Sequence, residues 1–265
     1  MKHISSIQNS EVKKLLLLKA KAKVRKEEKL FVVEGRRELK LAQQAGYHIE
    51  KVFWCPELFD ESAFSIWQQN ISPTQGFVSV DQQVYKKMVV RESTEGVVGV
   101  LHQKKESLEQ YVPKKDALIL VLESIEKPGN LGAILRTSEA AAVDAVLVTE
   151  QHTEIHNPNV IRSSVGGFFA TSVFVCSNKE ASAFLQHHNV STYAAVLQKS
   201  IPYTEANFSG ATAVIMGSEA TGLSDFWTQT QITPIKIPML GHVDSLNVSV
   251  ATAVILYEIQ RQRNR

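Results

Sequence analysis

Six short apolar runs in the second half of the chain constrain its fold most: ALILVLESI from Ala117, DAVLVTE from Asp144, TSVFVCS from Thr171, STYAAVL from Ser191, TAVIMG from Thr212 and TPIKIPM from Thr233. They are continuous rather than alternating, the pattern of strands buried on both faces of a mostly parallel sheet. Helical patterns separate most of them, so an open α/β layer is expected over 117–265. A polar, Pro113-containing stretch, 104–116, reads as a linker. Before it, over 30–103, apolar runs (LFVVEG, IEKVFWC, GFVSV, VVGVLHQ) alternate with amphipathic ones, which predicts a smaller α/β unit. Residues 1–29 read as a leading helix capped by Asn9 or Ser10, leucine-rich and then lysine-rich.

The chain has 265 residues and a net charge of only +2, but residues 1–40 hold twelve Lys/Arg against five Asp/Glu, leaving −5 for the remainder. A basic end of this kind suits a polyanion, and a solvated lysine-rich helix has the same composition. Two cysteines without a CxxC spacing suggest neither a disulfide framework nor a thiolate metal site, and a reducing compartment fits. No apolar run is long enough to cross a bilayer, so a cytoplasmic chain without a membrane partner is expected.

Three glycine-containing segments follow predicted strands: EKPGNLGAILRTSEAA from Glu126, AVIMGSEATGLS from Ala213 and IPMLGHVDSLNVSVA from Ile237. In an open parallel sheet, loops beyond the carboxyl ends of strands converge on one crevice. The second segment has the glycine spacing of a phosphate-binding P-loop, yet Leu223 stands where the lysine belongs and Glu219 lies inside the loop. A triphosphate is therefore a poor ligand. The chain holds no GxG, which removes the dinucleotide fingerprint, and no GxSxG for acyl transfer. His152 and His156 are four apart but run into Asn157-Pro158, a poor setting for two metal ligands on one helical face, and no metal is expected.

Taken in order, the segments resemble the three motifs of the SpoU (TrmH-type) branch of the SPOUT RNA methyltransferases: NLGAILRT from Asn130, GSEATGLS from Gly217, then IPM from Ile237 with SLNVS from Ser245. FVVEGRRELKLA, from Phe31, more loosely resembles the substrate-binding domain that precedes the catalytic domain in many members. The resemblance implies a deep trefoil-knotted α/β catalytic domain behind a smaller N-terminal α/β domain. It also implies a homodimer and transfer of a methyl group from S-adenosylmethionine to a ribose 2′-hydroxyl, with ribosomal RNA ahead of transfer RNA by family frequency. A non-catalytic RNA-binding or ribosome-assembly factor on the same fold, and a base methyltransferase, are the alternatives. S-adenosylmethionine is a cation without phosphate, so a lysine in the second loop would repel it, while glycines let main chain approach closely.

The resemblance assigns cofactor contacts to Gly217, Ile237, Leu246, Met239 and Leu197. Catalytic positions fall on Arg136, Asn130, Glu219, Ser245 and Asn247. Guanidinium groups stay protonated in ordinary protein settings, so phosphate clamping and alkoxide stabilisation suit Arg136 better than base action, and the plainer reading is a surface pair with Glu139. Asn130 and Asn247 also read as helix caps, and Glu219 as an acid favoured by a helix N-terminus. Arg162, Ser164 and Arg36 are carried as RNA contacts. Phe168, Phe169 and Trp54 read as core aromatics before base-stacking ones.

Overall fold

A computed structural model describes residues 1–90, 95–104 and 106–263; residues 91–94 of the expected first α/β unit, Lys105 of the expected linker and residues 264–265 of the expected α/β layer lie outside them. In chain order the first elements are β1 (Lys2–Ile4), α1 (Ser10–Ala20), α2 (Ala22–Glu28), β2 (Leu30–Glu34), α3 (Arg36–Gln44), β3 (Ile49–Trp54), α4 (Glu61–Trp67), β4 (Phe77–Val80), α5 (Gln82–Met88) and β5 (Val97–His102). Next come β6 (Leu118–Glu123), α6 (Pro128–Ala140), β7 (Ala145–Thr149), α7 (Pro158–Ser164), α8 (Gly167–Ala170), β8 (Ser172–Cys176) and α9 (Asn178–His187). The chain ends with β9 (Ser191–Ala195), β10 (Ile201–Pro202), β11 (Thr212–Met216), α10 (Asp225–Thr228), β12 (Thr233–Lys236) and α11 (Val248–Arg263). These form two compact units: Met1–Lys105 with Ile155–Phe169, and Glu106–Glu154 with Ala170–Arg265.

The first unit is built on a five-stranded mixed sheet in the order β1-β4-β3-β5-β2. Strand β1 is absent from the sequence reading, because three residues carry too little periodicity to announce a strand. Asn9 caps α1 by accepting from the Glu11 N–H, but the expected single helix breaks at Lys21, whose extended backbone (φ −122°, ψ 113°) separates α1 from α2. Helix α1 is part of this unit's core: Val12, Leu15 and Leu18 are fully buried in one cluster with Leu30, Phe53 and Val80. Residues 155–169 bring His156, Phe168 and Phe169 against Phe31, with Phe168 and Phe169 also packed on Tyr47. Trp54 stacks on Phe64 with centroids 4.0 Å apart. All three aromatics whose alternative was base stacking are thus core residues, Phe168, Phe169 and Trp54 being at most 6% exposed.

The second unit carries a seven-stranded sheet in the order β10-β12-β9-β11-β6-β7-β8, and every pairing in it is parallel. Residues Ala117 to Leu122 have no solvent exposure, as two-sided burial of a continuous apolar run requires. From β6 the chain steps outward through β7 to β8, then crosses to β9 and returns to insert β11 beside β6. The strand order reverses at the β6–β11 pair, so loops leaving these two strands border the crevice where ligands bind in open α/β sheets. Residues 106–116 of the expected linker belong to this unit, where Tyr111 lies 5.0 Å from Phe174 and donates to the Asp144 carbonyl, whereas Lys104 belongs to the first unit and donates to the Ala45 carbonyl.

Candidate active site

Strands β6 and β11 run in register, Leu122 opposite Met216, so Glu123 and Gly217 leave the sheet side by side. The loop after β11 folds back on itself: Ser218 and Gly222 exchange backbone N–H···O bonds of 3.1 Å. Gly222 supplies the left-handed backbone this hairpin needs (φ +69°), and a Cβ on Gly217 would stand 2.3 Å from the Gly222 carbonyl carbon and 2.6 Å from the Leu223 nitrogen. Only glycine fits at Gly217. The P-loop spacing thus closes a tight turn of main chain on itself rather than opening a nest for phosphate.

The loop is tied at its exit and at its apex. At the exit, Glu123, 2% exposed at the end of β6, accepts from the Ser224 N–H at 2.8 Å and hydroxyl at 2.5 Å, and from the Asn178 amide. Three donors offset much of the cost of burying this carboxylate. At the apex, Glu219 Oε1 accepts from Asn130 Nδ2 at 3.0 Å, Asn247 Nδ2 at 2.5 Å and the Val248 N–H at 3.5 Å, while Oε2 takes Lys127 Nζ at 2.6 Å. Asn247 Nδ2 also donates to Asn130 Oδ1 at 3.2 Å. Glu219 therefore joins the loops after β6, β11 and β12, the three segments the sequence singled out. The Lys127 bond, with help from the Val248 N–H and the Asn130 amide, holds the Glu219 carboxyl below the ordinary 4.5, against the opposing effect of partial burial.

Both asparagines have definite places. Asn247 caps α11, its Oδ1 accepting from the Ser249 N–H at 3.0 Å and its carbonyl from the Ala251 N–H at 2.9 Å, so capping and the bond to Glu219 coexist. Asn130 does not cap α6: Pro128 occupies the first turn after Lys127, and Asn130 lies inside the helix with its amide free to reach Glu219. The N-terminus of α11 meets Glu219 directly through Val248, which also satisfies the plainer reading of that acid. Helix α11 lies along α6, and Gln260 Nε2 donates to the Ala141 carbonyl at 2.6 Å at their far ends.

The other expected residues fall as follows. Arg136 is exposed on α6, six residues beyond Asn130, and among the described residues it pairs with neither Glu139 nor Glu219. Ile237, Met239 and Leu246 are half-buried, Ser245 is exposed, and Leu197 keeps 59% of its surface in solvent. Ser164 is fully buried with its hydroxyl on the Ile161 carbonyl, and Arg162 is half-buried beside it on α7. Arg36 is held by Glu95 at 3.2 Å and lies over the Phe59 ring at 4.2 Å. The sequence reading missed Lys127 and the Glu123–Ser224–Asn178 set. An acid ending a continuous apolar run was the available signal for Glu123, since a carboxylate there must find donors. Among the described residues no group of three or more His, Cys, Asp or Glu side chains could hold a metal ion.

Residues 117–257 match the SpoU rRNA Methylase family, and residues 9–99 match the MRM3-like substrate binding domain. The chain belongs to the SpoU methylase family. It is 26% identical over 260 residues to the Bacillus subtilis 23S rRNA (guanosine(2553)-2'-O)-methyltransferase RlmP, covering 98% of this chain and 100% of that one. Among solved structures, an RNA 2'-O ribose methyltransferase is 35% identical with a TM-score of 0.86, covering 99% of this chain and 100% of that one. An AdoMet-bound rRNA methyltransferase from Sinorhizobium meliloti shares the fold at TM-score 0.90 and 24% identity, covering 98% and 97% of the two chains.

Proposed function

We propose that this protein transfers a methyl group from S-adenosylmethionine to a ribose 2′-hydroxyl of ribosomal RNA. The observation that carries this reading is the convergence on Glu219 of Lys127, Asn130, Asn247 and the Val248 N–H, one shell assembled from all three motif segments. The surroundings suit the donor: a Cβ-free main-chain turn at Gly217, apolar surface left open at Leu197, Ile237, Met239 and Leu246, and no cation within the loop. Those five residues would hold it, and the bound donor supplies a methyl carbon on a sulfonium leaving group.

The protein's part is then alignment and charge. Asn130, Asn247 and Glu219 fix the loops against one another, and Ser245 lies two residues before that shell. Arg136, exposed and without a partner carboxylate among the described residues, is available to grip an RNA phosphate and to steady charge on the attacking oxygen. Arg162, Ser164 and Arg36 belong to the first unit; Arg36 and Arg162 suit RNA contact there, whereas Ser164 acts through the backbone it braces. Val250 and Tyr257, seven residues apart on α11 and 48% and 55% exposed, offer an apolar stripe for a second copy of the chain. We read the passage of the chain through the 217–247 loops as the knot of the family. Among the described residues no helix is long and apolar enough to cross a membrane, and with both cysteines free we place the protein in the cytoplasm.

The test is transfer of label from methyl-tritiated S-adenosylmethionine to unmodified ribosomal RNA, followed by nucleoside analysis. A labelled 2′-O-methylnucleoside is expected. Donor binding with no label in any RNA pool identifies a binding factor instead, label on transfer RNA alone moves the substrate, and label on a base moves the chemistry. Arg136→Ala is expected to bind the donor with unchanged affinity and to lose about two orders of magnitude in kcat; retention of most activity removes Arg136 from the mechanism.

A further inference from the structure

Lys127 is the one cation among the six residues, Ile125, Glu126, Lys127, Asn130, Glu219 and Val248, that line the depression beside Glu219. Its place is firm, since it is the N-cap residue of α6 and precedes Pro128, whose ring fixes the first turn. Its present partner keeps other donors without it. Glu219 Oε1 already accepts from Asn130, Asn247 and the Val248 N–H, and Lys127 takes the other oxygen at 2.6 Å. The Lys127 side chain is 68% exposed against 26% for Glu219, and solvent screens a pair this exposed, so the bond is readily exchanged. An ammonium carries three donors, and this one spends a single donor on Glu219.

Glu126 and Glu219 line the same depression. An RNA strand entering it would place phosphate against two carboxylates unless a cation stands between. Two helix N-termini, those of the 13-residue α6 and the 16-residue α11, add partial positive charge at the same point, which lowers the cost of a phosphate there. We propose that Lys127 is a phosphate contact for the RNA strand at the mouth of this site, resting on Glu219 in the free protein and turning to a backbone phosphate when RNA arrives. The proposal rests on the RNA methyltransferase reading above and names the group that meets the strand beside the reacting ribose. Its function in catalysis is positioning: it touches the substrate backbone, while the Glu219 shell remains closed by its other three donors.

The experiment uses the full chain and unmodified ribosomal RNA, with affinity measured across a series of KCl concentrations for the wild type, Lys127→Met and Lys127→Arg. One lost phosphate contact makes the plot of log K against log salt shallower by about 0.7–0.9. Lys127→Met is therefore expected to show that loss of slope and about tenfold weaker RNA binding at low salt. The effect falls mainly on KM for RNA rather than on kcat, and Lys127→Arg restores the slope. A slope and RNA affinity equal to wild type, accompanied by weaker S-adenosylmethionine binding or a drop in kcat, overturns the proposal and leaves Lys127 as a support for Glu219 only. RNA binding by the wild type without methyl transfer overturns the methyltransferase reading instead, and the salt slope still decides the case of Lys127.

Discussion

Gly217 and Gly222 stand five residues apart in one loop, and the structure asks different things of them. At Gly217 an added methyl meets the backbone of Gly222 and Leu223 at 2.3–2.6 Å, with no flexible side chain to give way. At Gly222 the space is open and only the left-handed φ of +69° matters. Gly217→Ala should therefore cost about 1–3 kcal/mol through overpacking and abolish S-adenosylmethionine binding. Gly222→Ala should cost about 1–2 kcal/mol, with part of that recovered in Gly222→Asn, since asparagine tolerates this region. Urea melts and donor titration of the three variants check the ranking; equal effects at the two positions would show that the loop is not closed on itself. These residues were legible in the sequence as a motif whose lysine is missing, but their mutual contact was not. Spacing reports which residues share a loop, and only the fold reports which backbone atoms touch. Lys127 was invisible for the same reason, because its partner lies 92 positions away.

At the scale of the element, the helices show both how far hydrophobic pattern reaches and where it stops. Asn247, which caps the C-terminal helix, was legible in the sequence as a cap type. That the same amide also holds Glu219 required the register of three strands. The two tasks can be separated: Asn247→Ser keeps a capping oxygen and loses the amide donor, whereas Asn247→Ala loses both. We expect Asn247→Ala to lower stability by about 1 kcal/mol and Asn247→Ser by much less, with both losing most methyl transfer. Thermal melts read against initial rates distinguish the two contributions, and full activity in Asn247→Ser would assign the residue to capping alone. The leading helix teaches the opposite lesson. Its lysines suited either a polyanion or a solvated helix, and neither reading places its leucines, yet Val12, Leu15 and Leu18 lie in the core of the first unit. Leu15→Ala should then cost about 2–5 kcal/mol by urea unfolding, a loss that a loosely attached arm would not produce. Charge dominates composition there, but the buried face needs only one residue in three or four.

For the whole molecule, the chain enters the first unit twice. Residues Ile155–Phe169 lie inside the stretch that matches the methylase family, yet they belong to the compact unit formed by residues 1–105. No local pattern in the sequence announces this, because the apolar residues there, Val160, Ile161, Phe168 and Phe169, would suit burial in either sheet layer. His156 marks the arrangement chemically. It is 7% exposed, lies 4.8 Å from the Phe31 ring and 5.7 Å from the Phe168 ring, and its Nε2 has no hydrogen-bond partner among the described residues. Burial pushes its pKa down from 6.5 to about 4, and the nearby charge of Arg25 adds to the shift. The folded protein thus holds His156 neutral while the unfolded chain takes up a proton below about pH 6.5. The stability it confers is complete above that pH and falls as the solution is acidified towards pH 4, with a total loss of about 3 kcal/mol. Urea unfolding at pH 7 and pH 5 should show about 2 kcal/mol of this loss in the wild type. In His156→Phe, where an aromatic ring of similar outline fills the same place without a titrating nitrogen, that portion of the acid dependence should vanish. A variant as acid-sensitive as the wild type over this interval would mean that the carboxylates, and not the histidine at the second crossing of the chain, set the acid limit of the fold.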